Sequence, residues 1–128
     1  MNLVDSCGWL EYLADSPLAD FYAPVIEDTG TLIVPTICIL EVCKRVLLQR
    51  GEDAALQVAA VMHQGQVVPL LADIALSAAK IGSEWKLPLA DSVVLATARA
   101  HGARVWTQDA HFKGLENVQY IEKTSRSD

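Results

Sequence analysis

Long apolar runs are missing from this chain. The richest stretch, "TLIVPTICIL" (31–40), has about half the length needed to cross a bilayer and is broken by Pro35. No basic region followed by a long apolar segment opens the sequence, so no signal peptide is expected. Cysteine is scarce: the three, Cys7, Cys38 and Cys43, are odd in number and lie in apolar stretches. They read as reduced, buried thiols of a cytoplasmic protein rather than as a disulfide framework. His63, His101 and His111 do not join the cysteines at zinc-site spacing. Neither a Gly-rich phosphate loop nor a Gly-x-Ser-x-Gly elbow is present. No linker, low-complexity tract or internal repeat divides the chain. Basic residues are few: ten Lys and Arg stand against sixteen Asp and Glu, a net charge of −6. Taken alone, that balance argues against a nucleic-acid binder, because phosphate contacts need cations.

What is there is apolar and regularly punctuated. The 128 residues make one domain's worth of chain, 1–128. Hydrophobic residues reach 52%, and the surplus suggests apolar surface covered by a partner or a second copy. Short apolar runs predict strands over 2–4, 32–34, 67–70, 103–106 and 118–121. Between them, helical patterns run over 6–13, from Pro17 toward Glu27, and from Thr36, read as a cap, to Arg50. Others run from Glu52 to near Gly65, over 73–82 with Gly82 as a stop, and over 89–100 up to His101-Gly102. Apolar strands alternating with helices imply an α/β fold, a three-layer α/β/α domain around a parallel sheet. In such sheets the functional crevice lies at the carboxyl ends of the strands.

The acids fall on that edge. Asp5 follows the first strand, Asp109 the fourth, and Asp91 opens the helix after Pro88. Glu41 lies inside "TICILEVCKRVLL" (36–48), beside an apolar stripe read as Ile37, Leu40, Leu47 and Leu48. Singly, each has a plain reading. Asp5 can cap a helix, Asp91 suits the helix dipole, Asp109 suits a turn, and Glu41 can pair with Lys44 or Arg45. Together they form a set. Gathered carboxylates repel one another and raise each other's pKa unless a cation joins them. No lysine or arginine lies at these strand ends. All-oxygen ligands of this kind suit Mg²⁺ or Mn²⁺, and such an ion activates water against a phosphodiester. Two divalent ions, +4 in all, would move the formal charge from −6 to −2 and leave the basic residues free for a phosphate backbone.

Three segments, "NLVDSCGWLEYL" (2–13), "PTICILEVCKRV" (35–46) and "LPLADSVVLATARAHGARVWTQDAHF" (87–112), resemble in order and spacing the PIN-domain ribonucleases, most nearly the VapC-type toxins of bacterial toxin–antitoxin pairs. The third is the most specific: an "AD" opening a helix, a His-Gly stop, an apolar strand, then "TxDxxF". The resemblance implies a parallel sheet of about five strands and a Mg²⁺- or Mn²⁺-dependent endoribonuclease. Its four acids fall on Asp5, Glu41, Asp91 and Asp109. Asp5 and Asp91 would be the main metal ligands. Asp109 and Glu41 would complete the pocket, directly or through water. Thr107 and Ser6 match hydroxyl residues beside the fourth and first acids. Some members carry a further acid two residues after the fourth; His111 stands there, open to a substrate contact or a structural role. The implied partners are RNA, a cognate antitoxin and a second copy of the chain, with Leu10, Leu13 and Val46 as candidate contact residues. No membrane is implied.

Two other readings compete. A phospho-acceptor receiver domain would need paired acids after the first strand, an acceptor Asp after the third and a Lys after the fifth. "VDS" has one acid, and "VVPLLAD" reaches Asp73 only after Pro69. A catalytically inactive PIN-like binding module would have no reason to keep all four acids. Trp9, Trp85 and Trp106 can stack on bases but read first as core.

Overall fold

The computed structural model describes residues 1–123. Five parallel strands form one sheet in the order β3-β2-β1-β4-β5. They are β1 (Asn2–Val4), β2 (Leu32–Pro35), β3 (Gln66–Val68), β4 (Arg104–Thr107) and β5 (Val118–Tyr120). Among the described residues the α-helices are α1 (Ser6–Leu13), α2 (Ala19–Glu27), α3 (Thr36–Arg50), α4 (Glu52–Met62), α5 (Ala72–Trp85) and α6 (Leu89–Ala100). Central strands are buried on both faces, as a covered parallel sheet requires: Leu3, Val4, Ile33, Val34 and Val105 are almost wholly inaccessible. The helices pack in two groups, α1 with α2 and α3 and α3 with α4, against α5 with α6. Right-handed crossovers put these groups on opposite faces, which is the expected three-layer α/β/α arrangement.

Strand order positions the site. From β1 the chain steps outward through β2 to β3, then crosses back to β4 on the other side of β1. The boundary between β1 and β4 is therefore the point where strand order reverses, the usual place for a ligand crevice. Register holds the two strands level there: Leu3 opposes Val105 and Val4 opposes Trp106.

Several boundaries differ from the sequence reading, each for a local reason. α2 starts at Ala19, not at Pro17, because Ser16 accepts from the Leu18 and Ala19 amides and holds that stretch as a turn. Pro35 does not stop β2 at Val34; it ends the strand opposite Val68 and itself takes the capping position of α3. Thr36 makes no cap. Its hydroxyl accepts from the Leu70 amide at 3.2 Å and ties α3 to the segment after β3. α4 ends at Met62, ahead of a turn to Gly65, and β3 stops before Pro69. Gly82 is not a stop either. α5 runs through it to Trp85 and ends at Lys86, which takes the left-handed conformation (φ 54°). Gly82 is a close-approach residue: a Cβ there would lie 2.4 Å from Ser92 Oγ, so the glycine lets α5 press against α6.

The buried stripe of α3 is also not the expected one. Cys38, Val42 and Val46 face the core at helical spacing, whereas Leu40, Leu47 and Leu48 are exposed. Of the three cysteines, all free, only Cys38 is fully buried; Cys7 and Cys43 are half-buried. Trp9 is core, Trp106 is half-buried against Phe21, and Trp85 is exposed.

Candidate active site

The first carboxylate is fixed by backbone geometry. β1 delivers Asp5 to the sheet edge, where its amide donates to the Trp106 carbonyl at 3.1 Å. Asp5 caps α1, as read from sequence, with Oδ1 accepting from the Ser6 amide at 2.8 Å. Ser6 thus contributes its backbone. Asp5 is only 4% exposed. Oδ2 accepts from the Thr107 hydroxyl at 2.9 Å and from the Cys7 thiol at 3.6 Å. The same Thr107 oxygen accepts from the Asp109 amide at 2.9 Å. One hydroxyl at the end of β4 therefore couples the acid after β1 to the loop that carries Asp109.

Asp109 starts a 3₁₀ turn over Ala110–Phe112, and its Oδ1 accepts from the His111 amide at 2.9 Å. The His111 ring returns to the same atom, with Nδ1 at 2.7 Å from Asp109 Oδ1 and 3.3 Å from Asp91 Oδ2. Asp91 sits in the first turn of α6 and is 9% exposed. Its Oδ2 is buried and makes no hydrogen bond among the described residues. One ligand atom each from Asp91, Asp109 and His111 lies within 4.8 Å of the others.

Burial pushes the Asp5 carboxyl up to about 6, against the hydrogen bonds from Thr107 and Ser6 and with help from the charges on Asp109 and Glu41. Burial, then the neighbouring Asp109 and the charge on Asp5, push Asp91 up to about 7, with His111 opposing. Asp109 goes the other way. Burial works against its charge, but donation from the His111 amide and from the Asp91 and His111 side chains outweighs it. Two acids kept this close, one with a buried oxygen that makes no hydrogen bond among the described residues, and a third, Asp5, coupled to them by charge outside that cluster, make a donor set that a divalent cation satisfies. Asp5, Asp91 and Asp109 fit Mg²⁺ or Mn²⁺ by their chemistry.

The model of the PIN domain family matches residues 3–117. The chain belongs to the PIN domain family. Its fold is shared by a toxin–antitoxin complex from Klebsiella pneumoniae, at 19% identity over 96% of this chain and 100% of that one, with a TM-score of 0.83. It is shared too by the Mycobacterium tuberculosis toxin VapC20, described as cleaving the Sarcin-Ricin loop (18% identity, 93% and 99% covered, TM-score 0.70). A third is VapBC2 from Rickettsia felis, bound to a DNA fragment from its promoter (12% identity, 94% and 97% covered, TM-score 0.72). No curated protein matches the chain in sequence. The receiver reading falls with the strand order, since receiver domains run 2-1-3-4-5. Asp73, its only candidate acceptor, is an exposed residue of α5.

In this PIN domain Glu41 lies outside the cluster of Asp91, Asp109 and His111. It is half-buried on α3, one turn after Cys38, and its charge is felt at Asp5. Among the described residues it makes no hydrogen bond or ion pair, so the expected link to Lys44 or Arg45 is not formed there. Two features escaped the sequence reading. Cys7 packs its thiol against Asp5 and Thr107, and burial pushes that thiol up to about 12, so it serves as a neutral filler. Gln108, between Thr107 and Asp109, accepts from the Tyr22 hydroxyl at 2.9 Å and donates to Glu11 at 2.7 Å. That chain clamps the loop from beneath. Its only trace in the sequence is a polar residue at the end of an apolar strand, which says nothing about its partners. Two open grooves flank the acids and share Cys7, Gln108 and Lys123; one adds Arg45, the other His111 and Tyr120.

Proposed function

We propose that this PIN domain is the toxin of a toxin–antitoxin pair, an endoribonuclease that depends on Mg²⁺ or Mn²⁺. The observation that carries the reading is the gathering of Asp91 and Asp109 within 4.8 Å beside the strand-order reversal, where Asp5 follows β1 and is electrostatically coupled to both, with Asp91 Oδ2 buried and without a hydrogen bond among the described residues. The likeness to toxin folds supports the toxin assignment.

Asp5, Asp91 and Asp109 would hold the ion. When bound, a divalent ion supplies water activation and neutralises charge on the phosphoryl group. Thr107 and the Ser6 amide fix the Asp5 carboxylate so that it meets the ion without rearrangement. Glu41, without a hydrogen bond or ion pair among the described residues and close enough for its charge to raise the Asp5 carboxyl, would orient or deprotonate the attacking water. Arg45 and Lys123, lining the flanking groove, take the phosphate backbone of single-stranded RNA. The single domain works in the cytoplasm, where free thiols persist. Its antitoxin covers the groove between α1, α3 and α4 that Leu10, Leu13 and Val46 line. A second copy covers the apolar face of α5 and α6.

The test mixes the purified chain with labelled RNA and Mg²⁺ or Mn²⁺, with and without EDTA, alongside Asp5→Asn and Asp91→Asn. Cleavage that needs the metal and is lost in both variants is expected. Cleavage indifferent to EDTA, or surviving in both variants, would overturn the mechanism.

A further inference from the structure

We infer that His111 is a nitrogen ligand of this metal site and makes it select Mn²⁺ over Mg²⁺. The inference rests on the acid pocket being a metal site. Nδ1 of His111 faces both Asp109 Oδ1, at 2.7 Å, and Asp91 Oδ2, at 3.3 Å. It therefore stands between the two carboxylates whose donor atoms it joins within a 4.8 Å cluster. Asp91 Oδ2, the buried oxygen it faces, makes no hydrogen bond among the described residues. Packing does not explain the placement of the ring, since the His111 side chain is 55% exposed. Its own contact with Asp109 holds it there, on a turn that the backbone fixes. The His111 amide is bonded to Asp109, and the next residue, Phe112, is fully buried and pins the short turn. Among the described residues the ion pairs of Asp91 and Asp109 are with His111, and the nearby Lys113 is paired with Glu122 at 3.0 Å and lies over the Tyr120 ring.

The chemistry of the donor follows. Mg²⁺ is small, holds its waters and takes hard oxygen ligands in strict octahedral geometry. An imidazole nitrogen suits it poorly and is accepted by first-row divalent ions, most strongly by the later ones and least strongly by Mn²⁺, so that, of the two ions the carboxylates fit, Mn²⁺ alone tolerates the nitrogen. A site of two carboxylates and an imidazole, with Asp5 beside them, discriminates against Mg²⁺ in a way that four carboxylates do not.

The test uses the full chain stripped of metal. Calorimetry measures MnCl₂ and MgCl₂ affinities, and electron spin-echo modulation looks for ¹⁴N coupled to bound Mn²⁺. His111→Ala is expected to lower Mn²⁺ affinity about 10- to 100-fold, to change Mg²⁺ affinity by less than about threefold, and to erase the ¹⁴N signal. His111→Asp is expected to restore binding without the ¹⁴N signal and with a smaller Mn²⁺/Mg²⁺ ratio. An unchanged ratio and spectrum in His111→Ala overturns the inference, as does a gain in affinity for both ions, which would make His111 a competing cation. Asp91→Asn separates the failures. If it abolishes binding while His111→Ala changes nothing, only the role of His111 falls; if it also binds Mn²⁺ undiminished, the acid pocket is not a metal site and the proposed mechanism falls with it.

Discussion

Thr107 shows how one side chain can govern a site without belonging to its chemistry. Its hydroxyl donates to Asp5 and accepts from the Asp109 amide, and it is fully buried. Thr107→Val keeps the shape and removes both bonds, leaving the part-buried Asp109 amide without that partner. The expected cost is about 2 kcal/mol in urea unfolding and about 10- to 100-fold in metal-dependent cleavage, with Thr107→Ser recovering most of both. The acids themselves predict an unusual pH response. Asp5 titrates at about 6 and Asp91 at about 7 in the fold, both above the ordinary 3.8. Between roughly pH 4 and 7 the metal-free fold therefore binds protons that the unfolded chain does not, and stability falls as pH rises through that window. Asp109, held low, acts only at the acid end, where its protonation costs stability. The metal-free protein is thus expected to be more stable at pH 5 than at pH 8, by on the order of 3 kcal/mol. Urea midpoints at the two values measure it. Asp5→Asn should remove its share of the slope, and saturating Mn²⁺ should abolish the slope altogether. A midpoint that rises from pH 5 to 8 without metal would contradict the electrostatics of the pocket.

At the scale of elements, the sequence is legible where backbone periodicity decides and silent where tertiary contact does. Strands that are short and apolar between Pro and Gly breaks could be read directly, and with them the delivery of Asp5 and Asp109 to one edge. The register of α3 could not. Its exposed leucines look like core until Cys38, Val42 and Val46 are seen against the sheet. The clamp of Tyr22, Gln108 and Glu11 joins residues up to 97 positions apart, and no local pattern announces such a bond. Gly82 is the sharpest example. In sequence it reads as a helix end, and in the fold it is the point where α5 touches α6. Gly82→Ala would raise helix propensity at an interior position by about 1 kcal/mol. The added methyl would nonetheless meet Ser92 Oγ at 2.4 Å and Ser92 Cβ at 3.2 Å. Ser92 cannot swing away freely, since its hydroxyl donates to the Pro88 carbonyl at 3.0 Å. Net destabilisation of about 1–3 kcal/mol is expected by thermal or urea unfolding. Pairing the change with Ser92→Ala should return part of it, because the closest clashing atom is then gone. If Gly82→Ala alone were stabilising, the two helices would be less tightly set than their geometry states.

For the whole molecule, the question is which apolar surface meets which partner. One groove, of about 470 Å³, lies between α5 and α6 and carries no charged side chain; Ile37, Leu70, Ala78, Leu87, Leu89 and Val93 are among its walls. Around it Leu71, Leu76 and Trp85 are exposed, and Leu89 is 87% exposed. The other groove, between α1, α3 and α4, mixes Leu10, Leu13 and Val46 with Gln49, Gln57 and Arg50. A two-fold dimer sets one patch against the same patch of the second copy, so a charge near the axis faces itself, and an uncharged patch suits that symmetry best. A groove edged by Arg50 suits a different chain that can answer the charge. The second copy is therefore expected on α5 and α6, and the antitoxin on the mixed groove. The double variant Leu76→Glu/Leu89→Glu places four carboxylates across the two-fold interface while changing no residue of the acid pocket. Light scattering is expected to give twice the 13.9 kDa chain mass for the parent and the single mass for the variant, with Mn²⁺ affinity retained. A parent that runs as a single chain, or a variant that stays paired, would move the self-contact away from this face.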